Sequence, residues 1–211
     1  SKLSAVLPRA PKPLLFCEDE SLIGSKFYVM QRLSGLVLRR DIPSGLNISP
    51  EQARALCSSF VDTLVELHAI DFNSVGLGDF GQPKGYVERQ ISGWTKRYEG
   101  SRTDDIPDME RIASWLLEHR QEAPDASIIH NDYKYDNLLL NPSNITEVVG
   151  ILDWEMATLG DPRMDLGTTL CYWVEAGDAE DLVAMRMGPT AIAGSYTRRE
   201  LAEAYARRSG R

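Results

Sequence analysis

The segment His130-Asn131-Asp132-Tyr133-Lys134-Tyr135-Asp136-Asn137 constrains this chain more than any other, because Asp153 follows 16 residues after Asn137 with short apolar runs between them. Residues 127–129 read as a strand before the segment, and 138–140 and 148–152 as two strands after it, the latter pair joined by turn residues 141–144. That order predicts a polar loop running into a hairpin, with Asn137 and Asp153 at its two ends. An amide oxygen and a carboxylate suit a hard cation, which selects oxygen donors. Asp132 is left free to accept a hydrogen bond from a hydroxyl. A lone Asp between strands is usually a turn or cap residue; the combination of four residues at these spacings favours a site. His130 reads as a loop-shaping residue, and His68, in Leu67-His68-Ala69, as a helix-end residue.

Composition narrows the partners. The 211 residues suffice for one large domain or two small ones, and 31 Asp and Glu against 23 Lys and Arg give a net charge of −8. An acidic chain is a poor ligand for a phosphate backbone, so no nucleic acid is expected. No apolar run approaches the ~18 residues of a membrane helix, so no membrane partner is expected either. Cys17, Cys57 and Cys171 are widely spaced and odd in number, which suits buried thiols in the reducing cytosol of a cytoplasmic protein better than a disulfide framework or a zinc site. The sequence leaves the oligomeric state open.

Along the chain, residues 14–17 and 26–33 read as a hairpin. Ser49, Pro50 and Gln52 open a helix that carries Leu56, Phe60, Leu64 and Leu67 on one face and runs to about Ala69. A Gly-rich loop over 76–85 leads to a second helix with Val87, Ile91, Trp94 and Tyr98 on one stripe; a third starts at Pro107 with Met109, Ile112, Leu116 and His119 at helical spacing. The texture changes after Pro124. Beyond Leu166 the chain is helical again, and Thr197 with Glu200 caps a final helix ending near Gly210. The pattern is α+β.

The loop reads H-x-D-x-x-x-x-N with a second Asp beyond it, the arrangement of phosphotransferases with a protein-kinase-like fold. Further matching stretches are Phe27-Tyr28-Val29-Met30 before Gly35, Leu67-His68-Ala69-Ile70-Asp71, Tyr86-Val87-Glu88-Arg89-Gln90 with Trp94, and Gly160-Asp161-Pro162-Arg163-Met164-Asp165-Leu166. On these residues the sequence resembles the aminoglycoside phosphotransferase family, in the branch related to the kinase domains of acyl-CoA dehydrogenase fusion proteins. The resemblance implies the helical C-terminal lobe of a kinase-like fold over residues 35–211, with a remnant of the nucleotide-binding lobe and the inter-lobe linker over 1–34. It implies ATP and Mg²⁺ as cofactors and a hydroxyl of a small molecule as acceptor, a hydroxyacyl-CoA in this branch. By the same resemblance Asp132 orients or deprotonates the hydroxyl, Lys134 lies near the moving phosphate, and Asn137 and Asp153 hold Mg²⁺. Met30 stands behind adenine, backbone groups of Gln31 and Leu33 meet it, and His130 and Asp165 support the loop. Asp165 has a second reading as a helix cap after Pro162. Glu155 either holds a metal-bound water or is a surface carboxylate. Tyr86, Trp94 and Tyr98, interleaved with Arg89, Lys96 and Arg97, either wall the acceptor site or pack and solvate an ordinary helix.

Two departures stand out. No G-x-G-x-x-G precedes Leu14, and Lys2, Lys12 and Lys26 lie in no V-A-I-K strand, so a partial and poorly active polypeptide is expected, incomplete also at its C-terminus. Asn131 stands where relatives commonly carry Gly, and Asn tolerates the left-handed backbone region. The alternative function is a non-catalytic nucleotide- or partner-binding module, disfavoured by the full set of Asp132, Asn137 and Asp153. A protein kinase is a weaker option, because no A-P-E segment follows Asp153.

Overall fold

Helix α1 (Pro50–His68) organises the fold, and a computed structural model describes residues 2–121 and 125–211 around it. Pro124, where the sequence texture changes, lies outside the described residues. Ser49 Oγ accepts the Gln52 N–H at 3.2 Å and the Gln52 side chain accepts the Ser49 N–H at 2.9 Å, a reciprocal cap whose hydroxyl contributes about 1 kcal/mol. Leu56, Phe60, Leu64 and Leu67 are all buried, against the antiparallel hairpin of β4 (Leu138–Asn141) and β5 (Asn144–Ile151) and against α6 (Arg198–Ser209). The Phe60 ring sits 4.5 Å from Tyr133, 4.9 Å from Tyr135 and 5.3 Å from Trp173, so the loop after residue 130 is anchored in the core by its own aromatics.

The strand expected over 26–33 is shorter. Strand β2 (Phe27–Met30) pairs antiparallel with β1 (Pro13–Cys17), and Met30 opposite Pro13 exhausts the partner. Only the Gln31 N–H continues the ladder, to Lys12 O at 2.8 Å. The chain then crosses the β4–β5 hairpin, where Leu36 and Leu140 exchange two backbone bonds of 2.8 Å. A Cβ at Gly35 would lie 2.9 Å from Leu139 Cβ and Leu140 O, so the crossing requires glycine there, and the Leu33 side chain packs closely over Gly150 on the other side. Leu14, Leu15 and Phe16 are exposed on the hairpin. The segment before β1 contributes to the core: Leu7 and Ala10 are buried, and the Ile151 N–H donates to Arg9 O at 2.8 Å.

Helices α2 (Tyr86–Ser101) and α3 (Pro107–Glu118) pack on each other, yet α3 buries none of its residues. Its stripe of Met109, Ile112 and Leu116 lines an apolar groove of about 870 Å³ with Trp94 and Tyr98. Strand β3 (Ser127–Ile129) pairs with β6 (Thr158–Gly160), a strand too short to show periodicity in the sequence. Helix α4 (Pro162–Tyr172) starts before the helical signal at Leu166, because the Asp161 side chain caps it through the Arg163 N–H at 2.8 Å. A short α5 (Glu180–Met185) precedes α6, which has the expected Thr197–Glu200 cap and Gly210 at φ 72°. Among the described residues no helix is long and apolar enough to cross a membrane.

Candidate active site

A single 3-10 turn, Tyr135–Asn137, runs straight into β4, and β5 returns so that Leu138 faces Ile151. The Leu152 N–H therefore reaches Asn137 O at 2.8 Å, and Asn137 and Asp153 lie at the same open end of the hairpin. Asp153 is exposed and sits at φ 64°, ψ 58°, in a region that non-glycine residues seldom occupy. Asn131, at φ 63°, shares that conformation, as its amide side chain permits.

Asn137 donates from Nδ2 to Asp132 O at 2.9 Å and to Asp132 Oδ2 at 2.8 Å. Both amide protons are thus spent on Asp132, and Oδ1 is the atom left for a cation. Lys134 Nζ lies 3.0 Å from Asp132 Oδ2, 4.0 Å from Asp136 Oδ2 and 4.8 Å from the centre of the Tyr172 ring. Burial opposes the Lys134 charge, but its bond to Asp132 and the field of Asp136 outweigh burial and raise its pKa. Burial raises the Asp136 carboxyl in turn, with Lys134 opposing. The sequence offers no signal for Tyr172, which lies 40 residues beyond Asp132 and reaches the site only through α4.

Asp165 is fully buried. Its Oδ2 accepts the His130 N–H at 2.7 Å and faces His68 Nε2 at 3.0 Å, while Oδ1 accepts the Asn131 N–H at 2.8 Å. The helix-cap reading of Asp165 is thereby replaced, since Asp161 does the capping. His68 is more than a helix-end residue: it is part of this carboxylate's shell. His130 Nε2 lies 2.8 Å from Leu152 O and so carries the ring proton, while Nδ1 accepts the Asp132 N–H at 3.3 Å. Burial lowers the His130 pKa against the pull of Asp165, favouring the neutral ring that this pattern needs. One imidazole thus spans from the Asp132 backbone to the residue before Asp153.

A cavity of about 500 Å³ opens between the hairpin and the Trp154 turn, lined by Tyr28, Met30, Leu77, Phe80 and Glu155. Met30 and Glu155 share it; Gln31 and Leu33 do not line it. The Gln31 N–H is already engaged, which leaves its carbonyl, and the Leu33 side chain lies over Gly150. Of the aromatic and basic residues of α2, Tyr86 is buried and shares hydrogen bonds of 2.9 and 3.1 Å with Asn131, so it belongs to the loop's support. Arg89 is turned back onto the carbonyls of Lys84 and Gln82. Arg97 stacks on Trp94 at 4.8 Å, at the groove.

The model of the APH family, described as "Phosphotransferase enzyme family", matches residues 1–204. The chain belongs to this family. Its α+β architecture is the kinase-like one of aminoglycoside phosphotransferases: the crystal structure of a Ralstonia eutropha protein assigned to that group superposes with a TM-score of 0.80 at 33% identity, over 100% of this chain and 63% of the other. The streptomycin–ATP ternary complex of APH(2'')-IIa gives a TM-score of 0.55 at 17% identity, covering 95% of this chain and 59% of that one, a likeness of fold alone. Acyl-CoA dehydrogenase family member 11 of Rattus norvegicus is 39% identical over 158 residues, 74% of this chain and 20% of the relative. The chain thus spans about a fifth of the length of the curated relatives of this type.

Proposed function

We propose that this chain carries the acceptor and metal side of an ATP- and Mg²⁺-dependent kinase that phosphorylates a hydroxyl of a small molecule. The observation that carries the reading is the junction of Asn137, Asp132 and Asp153: one amide orients the Asp132 carboxylate through Nδ2 and keeps its oxygen free, and the backbone bond from Leu152 N–H to Asn137 O sets Asp153 at the same end of the hairpin. Among the described residues no cluster of three or more His, Cys, Asp or Glu could hold a metal alone. Mg²⁺ suits this arrangement, since it commonly takes one or two protein oxygens and fills its octahedron with phosphate and water. When bound it would neutralise charge on the transferring phosphate. Asp132 accepts the proton as the acceptor oxygen bonds to the γ-phosphorus and the bond to the β–γ bridging oxygen breaks; ADP leaves with that electron pair. Lys134, held above its ordinary pKa, is a cation within reach of Asp132 and of an incoming phosphoryl group.

The cavity at Met30 and Glu155 is the place for the nucleotide, with the hairpin as part of its roof and residues 35–211 forming the catalytic lobe. For the acceptor, a hydroxyacyl-CoA or similar thioester is supported by the dehydrogenase-family relatives and by the apolar α2–α3 groove with Arg97 on its wall. ADP release from Mg-ATP is measured with a panel of hydroxyacyl-CoAs, aminoglycosides, choline and sugars. A thioester is expected to lead the panel, and an aminoglycoside preferred over every acyl compound would refute the acyl assignment. Asp132→Asn should lower turnover roughly 10²-fold or more with nucleotide binding retained; unchanged turnover would remove Asp132 from its role.

A further inference from the structure

Three elements far apart in the sequence meet at one buried imidazole. His68, the last residue of α1, faces Asp165 Oδ2 of α4 with Nε2 at 3.0 Å and the Tyr205 hydroxyl of α6 with Nδ1 at 2.7 Å. Its own carbonyl accepts the Ser127 hydroxyl at 2.9 Å, and that hydroxyl oxygen accepts from Arg211 at 2.8 Å. The Tyr205 ring stands edge-on to the imidazole, with centroids 5.7 Å apart.

The direction of each bond follows from chemistry. An ionised carboxylate only accepts, so the proton between His68 and Asp165 belongs to Nε2. Burial raises the Tyr205 pKa, so its hydroxyl keeps its proton near neutrality and has one to give. Nδ1 is then the acceptor. With the hydroxyl gone, Asp165 still keeps the proton on Nε2, but Nδ1 becomes a buried acceptor without its donor and the ring loses the second of the two bonds that fix its plane. The Asp165 oxygen facing Nε2 also carries the His130 amide, the first bond of the loop that ends in Asp132.

We infer that Tyr205 is a positioning residue for loop 130–132, its hydroxyl fixing the plane of the His68 ring so that Nε2–H stays in line with Asp165 and Asp165 stays aimed at the amides of His130 and Asn131. Helix α6 thereby becomes part of the machinery that sets Asp132, without approaching any reacting atom. Only the kinetic part of the test rests on the phosphotransfer reading above.

Tyr205→Phe keeps the ring and its packing and removes one hydroxyl. In the unaltered chain, long-range ¹H–¹⁵N spectra of the ring nitrogens should show His68 protonated on Nε2 alone with Nδ1 hydrogen-bonded; in the variant the Nδ1 resonance should move to that of an unbonded ring nitrogen. Hydrogen exchange at the His130 and Asn131 amides should quicken about tenfold or more, with mid-α1 amides unmoved, because the opening is local. In Mg-ATP turnover, kcat should fall roughly three- to tenfold with KM for Mg-ATP within about twofold, the split expected for a displaced reacting group with an intact nucleotide site. A wild-type ring protonated on Nδ1, unchanged exchange at both amides, or unchanged kcat in an active chain would overturn the inference. Should the variant not fold, the wild-type ring spectrum decides. The turnover arm uses the full-length protein; a full-length protein that releases no ADP counts against the phosphotransfer reading, and the exchange result still decides this one.

Discussion

Replacing Asp165 by Asn tests how the loop is held. The carboxylate serves three donors, at 2.7, 2.8 and 3.0 Å, from a fully buried position. Asn keeps the volume but has one oxygen. Placed where Oδ2 now lies, that oxygen retains the His130 amide and His68, while the new NH₂ faces the Asn131 N–H, donor against donor, at a site where the present bond is 2.8 Å long. The flipped amide would lose two bonds, so the first arrangement is the one to cost. It forfeits a bond to a charged acceptor and strands a buried N–H, a combined loss of roughly 2–4 kcal/mol for the partly overlapping terms. Asn131 at φ 63° has less reason to stay there, and its relaxation to an ordinary conformation returns about 1 kcal/mol. The net loss is then about 1–3 kcal/mol. With a urea slope near 2 kcal/mol/M, the unfolding midpoint should drop by about 0.5–1.5 M. A midpoint within about 0.2 M of the unaltered chain, with an unchanged slope, would refute the reasoning.

Two further outcomes concern the same loop. Asp153→Ala should abolish Mg²⁺-dependent turnover, because a hard cation loses its one anionic protein ligand; a Mg²⁺ titration of ADP release that matches the unaltered chain would remove Asp153 from the site. His130 has a folded-state pKa below its unfolded value of about 6.5, so its contribution to stability is present above that pH and is lost as pH falls below it, where the unfolded chain takes up the proton first. Urea midpoints between pH 7 and 5 should therefore fall less steeply in His130→Gln, and identical slopes would show that the ring is not held neutral.

Much of this was legible in the chain, and the limits have physical causes. The α1 and α6 caps follow from a hydroxyl with Gln or Glu three residues on, a local rule that tertiary contacts did not disturb. The H-x-D-x-x-x-x-N spacing located the loop because its geometry is local as well: Asn137 bonds back five residues to Asp132. The β3–β6 pairing and the buried Leu7 are non-local, and three-residue strands or a lone leucine among prolines carry no period to read. His68 looked like a helix end because Asp165, 97 residues away, shares no pattern with it. The apolar stripe of α3 was legible as a stripe, but periodicity cannot distinguish a face that packs from one that lines an open groove.

The crossing at Gly35 and Gly150 has a mechanical consequence. The β1–β2 hairpin joins the larger body through two strands of chain, one reading Pro11-Lys12-Pro13 and the other running from Gln31 to the Leu36–Leu140 bridge. On the first, both prolines have φ locked near −65°, so few soft torsions remain. On the second, Leu33 packs over Gly150, Gly35 presses against Leu139 and Leu140, and Leu36 is fastened at both its N–H and its carbonyl. The hairpin that carries Met30 is therefore held stiffly on both sides. The far anchor of that second strand is Leu140, three residues along β4 from Asn137. At about 3.3 Å per residue, a pull on the linker is delivered within roughly 10 Å of the amide that holds Asp132, through a strand too short to absorb it.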